Sequence, residues 1–146
     1  MKKVAVITGA SSGMGKSVAH ILNNQGYSVY GAARRTEKMK DLEENGMKIV
    51  TLDLTDEKSI TAAVDRILQN EGRIDVLINN AGYGSYGSVE EVSIEEAKRQ
   101  FEVNMFGLAR ITQLIIPVMR EQQSGRIVNI SSMGGKIYTP FGAWYH

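Results

Sequence analysis

Five short apolar runs punctuate the chain: Val4 to Ile7, Ser28 to Ala32, Lys48 to Leu52, Asp75 to Ile78 and Arg126 to Ile130. Each is nearly continuous rather than alternating, the pattern of strands covered on both faces. Amphipathic stretches separate them. From Gly15 to Asn24 the residues Val18, Ala19, Ile21 and Leu22 form one apolar stripe, with Gly26 as a stop. Thr36 is expected to cap a short helix ending at Gly46. Thr55 or Asp56 can cap the next, whose stripe is Ile60, Ala63, Val64, Ile67 and Leu68. Ser93 and Glu96 read as a capping box opening the longest helix, which runs toward Arg120 with a kink expected at Pro117. Strand and helix in steady alternation predict an α/β fold, a doubly wound parallel sheet with helices on both faces.

The 146 residues hold one domain, with no linker, repeat or low-complexity tract. No Cys is present, which excludes thiol catalysis, disulfides and Cys-based metal sites, and no metal centre is expected. Seventeen Lys and Arg balance sixteen Asp and Glu, without a block of like charge. Neither a nucleic-acid nor a membrane partner is expected. The Val4 to Ile7 run is too short for a signal-peptide core and Leu114 to Met119 too short to cross a bilayer, so a cytoplasmic protein is expected.

Candidate chemistry begins directly after the first strand. Thr8-Gly9-Ala10-Ser11-Ser12-Gly13-Met14-Gly15 leads straight into a helix. Glycines let a pyrophosphate approach the backbone, and a helix N-terminus offers it unpaired N–H groups. The Gly-x3-Gly-x-Gly spacing differs from the commoner Gly-x-Gly-x2-Gly fingerprint, so an ordinary βα turn is the competing reading. The place after the second strand, where a carboxylate would bind ribose hydroxyls, holds Ala33, Arg34 and Arg35. Two guanidinium groups suit a 2′-phosphate, which favours NADP(H) over NAD(H); the alternative is a pair of solvated surface arginines.

Together, the glycine turn, Asp53 after the third strand, Asn79-Asn80-Ala81-Gly82 after the fourth, Asn104, and Ser132 with Tyr145 resemble the short-chain dehydrogenase/reductases over almost the whole chain. The resemblance implies a Rossmann-type sheet in the order 3-2-1-4-5. It implies cofactor binding by Gly9, Ser11, Ser12, Gly13, Met14, Gly15, Arg34 and Arg35, with Asp53 and Leu54 bordering adenine and Asn80, Ala81 and Gly82 along the cofactor ribose. It further implies a catalytic set of Asn104, which holds a water in a proton relay, Ser132 and Tyr145. Ser132 rather than Ser131 has the family's spacing, 13 residues before the tyrosine. Tyr145 also borders the cofactor.

The implied activity is an NADP(H)-dependent oxidoreductase moving hydride between nicotinamide and a carbonyl or secondary alcohol. The family's lysine, four residues after the tyrosine, falls beyond His146. Absent with it are the C-terminal strands and helices of the family. A fragment, a prematurely ended product, or an NADP(H)-binding or sensing remnant without turnover would each read this way. The 146-residue chain alone is expected to be inactive, its fifth strand an exposed apolar edge, and homo-oligomers are expected only for the complete protein. An isomerase, epimerase or dehydratase is a third possibility on such a fold. The partly apolar Met133 to Phe141 stretch leans toward a medium-sized or lipophilic carbonyl substrate.

Overall fold

The computed structural model describes residues 1–146. Five strands, β1 (Val4–Thr8), β2 (Ser28–Ala33), β3 (Lys48–Thr51), β4 (Val76–Asn79) and β5 (Arg126–Asn129), form one parallel sheet in the order β3-β2-β1-β4-β5. This is the order expected from the sequence. The pairings Thr8↔Ala32 and Ile7↔Ile78 bring the C-terminal ends of β2, β1 and β4 level with one another.

Alternate residues along the strands serve two separate cores. Val4, Val6, Tyr30, Ala32, Val50 and Leu77 pack with Ile60, Val64 and Ile67 of helix α3 (Glu57–Glu71) and with Ile111, Ile115 and Met119 of α5 (Leu108–Glu121). Ala5, Ile7, Val29, Ala33 and Ile78 face the other way, onto Ala19 of α1 (Gly13–Asn24), Met39 of a preceding 3-10 turn (Thr36–Met39) and Leu42 of α2 (Lys40–Glu44). Helices leaving β1 and β2 therefore cover one face, and those leaving β3 and β4 the other. The chain reverses its winding between β1 and β4, and a crevice opens above their ends.

Local chemistry refines several expectations. Ile21 is 55% exposed, because at 100° per residue it lies about 120° around α1 from the buried Gly15. The stripe reduces to Gly15 and Ala19, with Val18 and Leu22 packed at its margin. Thr36 does not cap a helix: Arg35 holds that position without a side-chain bond, and burial of Met39 and Leu42 fixes the segment instead. Asp56 caps α3 by accepting from Lys58 N, while Thr55 turns to Asp53.

Ser93 caps α4 (Ile94–Phe101), accepting from Glu96 N, but the Glu96 carboxylate accepts from Ser85 Oγ instead of closing a reciprocal box. Between α4 and α5 the helix widens into a π segment, Glu102–Gly107. β5 leaves Val128 exposed and only Ile127 packed on the core, as expected of an open edge. No helix is long and apolar enough to cross a membrane.

Candidate active site

The crevice is lined first by the glycine turn. Gly9 has φ +69° and lies so close to β4 that a Cβ would stand 2.9 Å from Ala81 Cα. A Cβ on Gly15 would overlap Asn80 Nδ2 and the Gly9 carbonyl. Gly13, at φ +54°, has open space where its Cβ would be. Two glycines thus permit backbone contact, and the third keeps the mouth of the turn clear.

The turn is locked to β4 through Thr8. Asn80 N and Ala81 N both donate to Thr8 Oγ1 at 3.0 Å, and Asn80 Nδ2 donates to Thr8 O at 3.0 Å. Thr8 was legible as part of the motif, but its role as the hub of these bonds comes from pairing with residues more than seventy positions away.

The first turn of α1 has no side-chain cap and no acidic residue, so its N–H groups and partial positive charge face the crevice. A cleft of about 410 Å³ extends from there past Arg34 and Arg35 to Asp53 and Leu54. Neither arginine takes part in an ion pair. Burial tends to raise the Asp53 pKa, but bonds from Thr55 N and Thr55 Oγ1, then the fields of Arg34 and Arg99, outweigh it and hold the carboxyl below the usual range. An uncapped helix N-terminus, a glycine cradle and free guanidinium groups at one end are the donor set that a dinucleotide phosphate requires, and the residues present fit one.

A second cleft of about 400 Å³ meets the first at Met14, Asn80, Ala81, Gly82 and Tyr83, and is lined further on by Asn104, Ser132 and Tyr145. The three residues expected to be catalytic thus border one cavity, although they come from a π segment, the cap of a 3-10 turn after β5 and the C-terminal turn. Ser132 Oγ accepts from Gly134 N at 3.0 Å, which leaves its own proton free to donate. Asn104 spends its carboxamide on one residue: Oδ1 accepts from Tyr83 N at 3.1 Å and Nδ2 donates to Tyr83 O at 2.7 Å. A second lone pair on Oδ1 and the second Nδ2 proton remain for a water. The Tyr145 ring lies beside Tyr86 and His146, with centroids 6.1 and 5.7 Å away.

Tyr83, Leu52 and Val103 line the first cleft without having been singled out as site residues in the sequence. Their adjacency to Gly82, Asp53 and Asn104 was the available signal. Burial, with the Glu96 carboxylate nearby, pushes the Tyr83 phenol up.

Fold and site define a Rossmann-type nucleotide-binding domain with a second, adjoining cleft. Residues 3–146 match the model of the short chain dehydrogenases, and the chain belongs to that family. It is 40% identical over 144 residues to a 3-ketodihydrosphingosine reductase of Bacteroides thetaiotaomicron, covering 98% of this chain and 52% of that protein. A 3-ketoacyl-(acyl-carrier-protein) reductase from Brucella melitensis, solved with NADH, is similar with TM-score 0.92 at 34% identity, over 98% of this chain and 62% of that one. An alcohol dehydrogenase from the archaeon Thermococcus sibiricus, complexed with 5-hydroxy-NADP, gives TM-score 0.90 at 30% identity, over 99% and 64%. The chain spans about half the length of the curated relatives it matches.

Proposed function

We propose that this chain carries the cofactor site and reacting groups of an oxidoreductase that uses NADP(H) to interconvert a carbonyl compound and a secondary alcohol. The observation that carries the reading is the junction of the two clefts at Asn80 to Tyr83, with the glycine turn on one side and Asn104, Ser132 and Tyr145 on the other. Relatives of similar fold that were solved with NADH or a hydroxylated NADP support a nicotinamide cofactor. The unpaired Arg34 and Arg35, where a carboxylate would otherwise receive the ribose diol, support the phosphorylated form.

When bound, the nicotinamide supplies the hydride for the carbonyl carbon. The remaining work falls to the chain. Ser132 donates its free hydroxyl proton as a hydrogen bond to the substrate oxygen, and Tyr145 transfers its phenol proton there as negative charge develops. In the oxidative direction the same phenol oxygen receives the proton. Asn104 fixes the Tyr83 backbone at the junction of the clefts, with Oδ1 able to accept from a relay water. Exposed Met133, Ile137, Tyr138 and Phe141, in the stretch between Ser132 and Tyr145, support a lipophilic carbonyl substrate, and the ketone named for the Bacteroides relative points the same way. Exposed Phe101, Met105, Phe106 and Ile116 along the Asn104 helix support pairing of the complete protein through that face.

The test is Tyr145→Phe in the complete protein, assayed for NADPH-dependent carbonyl reduction and NADPH affinity. Retained affinity with turnover reduced by about 100- to 10,000-fold is expected. Wild-type turnover in the variant would overturn the reading. The 146-residue chain, titrated with NADPH under the same assay, is expected to bind without turnover.

A further inference from the structure

Gln100 is a buried polar residue, 2% exposed, one helical turn before Asn104. Both ends of its carboxamide are used. Oε1 accepts from Ser85 N at 2.6 Å, and Nε2 donates to Trp144 O at 2.5 Å. Asn104 holds Tyr83 in the same way, by N–H and C=O together. Two carboxamides four residues apart on one helix face therefore grip the loop after β4 at alternate residues.

The residue between those grips is Gly84. A Cβ there would stand 3.1 Å from Tyr145 Cγ and 3.1 Å from Tyr86 Cε2, so the Tyr145 ring rests directly on the Gly84 backbone. Gln100 bonds on both sides of this contact. It accepts from Ser85, the residue after Gly84 that Glu96 also holds through Oγ, and it donates to the Trp144 carbonyl on the peptide that leads into Tyr145. No other side chain bonds to both segments, which a backbone bond from Gly87 N to Phe141 O at 2.8 Å also joins farther from the ring. The π segment then turns the helix so that Asn104 reaches the cavity that Tyr145 lines.

We propose that Gln100 is a positioning residue for Tyr145, holding the phenol over Gly84 at the mouth of the second cleft by bridging Ser85 N–H to Trp144 C=O. Its bearing on catalysis rests on the reading of Tyr145 as the proton-transfer group, but its bearing on geometry does not. Gln100→Glu keeps an acceptor for Ser85 and removes the donor to Trp144, replacing it with an oxygen that repels the carbonyl. Gln100→Met has a similar length and removes both bonds.

The probe is 3-fluorotyrosine incorporated into the chain, read by 19F NMR, with the Tyr145 and Tyr30 resonances assigned from the Tyr145→Phe and Tyr30→Phe variants. Tyr30 lies in the core, far in sequence from the bridge, and reports the fold. In both Gln100 variants the Tyr145 resonance is expected to shift or broaden while that of Tyr30 stays in place. In the complete protein, kcat is expected to fall roughly 100-fold at unchanged NADPH affinity, since misplacement by about 1 Å is costly to the reacting group.

An unmoved Tyr145 resonance in a folded variant would overturn the proposal. So would simultaneous loss of the Tyr30 signal in both variants, because Gln100 would then serve the fold as a whole. Absence of carbonyl reduction by the wild-type complete protein would instead defeat the functional reading and leave the NMR result standing.

Discussion

Asn80 donates twice to Thr8: its backbone N to Thr8 Oγ1 and its Nδ2 to Thr8 O, each at 3.0 Å. This pair joins the end of β1 to the end of β4 at the point where the winding of the sheet reverses. The glycine turn hangs from one partner and the second cleft opens beside the other. Thr8→Val removes the hydroxyl that receives both Asn80 N and Ala81 N, at nearly constant volume. Denaturant unfolding is expected to show a loss of about 1–3 kcal/mol, with weaker NADPH binding in a fluorescence titration.

Gly13 and Gly15 separate conformational from steric cost. Gly15→Ala drives a methyl group into Asn80 Nδ2 and the Gly9 carbonyl, so it displaces the lock itself. Gly13→Ala meets no atom within 4 Å and pays only for its left-handed backbone. Unfolding is expected to cost Gly13→Ala about 1 kcal/mol and Gly15→Ala more than that, about 1–3 kcal/mol. Calorimetric NADPH titration is expected to show the larger loss of affinity for Gly15→Ala.

Arg34 and Arg35 stand unpaired at the far end of the first cleft, and Arg34 is close enough to Asp53 to lower its pKa. Arg34→Ala is expected to weaken NADPH binding by about 10- to 100-fold and NADH binding by little. Equal loss for the two nucleotides would assign the guanidinium to something other than the 2′-phosphate. Raising the salt concentration is expected to narrow the wild-type preference.

Asp75 anchors the opposite end of the sheet. Arg73, then the bond from Val4 N, hold its carboxyl below the usual range against the opposing effect of burial. A depressed folded-state pKa means that this stabilisation is fully present above the unfolded value near 4 and is lost as pH falls through the folded one. Asp75→Asn is expected to cost about 1–3 kcal/mol at pH 7 and to flatten the acid limb of stability below about pH 4. Urea unfolding at a series of pH values checks both.

The parallel sheet was legible because strands buried on both faces leave unbroken apolar runs, and because the intervening stripes are long enough to be helices; its strand order came only with the family resemblance. The glycine turn was legible because few other sequences permit so close an approach. Local capping was less so. Glu96, three residues after Ser93, has the spacing of a box, yet Ser85 Oγ captures its carboxylate from a distant loop. Ile21 read as core because apolar character alone does not say how wide a buried stripe is.

By itself the sequence determined the layer architecture, the turn that can receive a pyrophosphate and the residue types available for proton transfer. These follow from periodicity, from backbone freedom and from side-chain chemistry, all of which are local. Tertiary structure alone decided that Thr8 locks to Asn80, that Asn104 spends its carboxamide on Tyr83, and that Gln100 bridges Ser85 to Trp144. A buried amide or hydroxyl must find partners wherever the folded backbone leaves a donor or acceptor unpaired, and that choice is fixed by the approach of segments far apart in the chain.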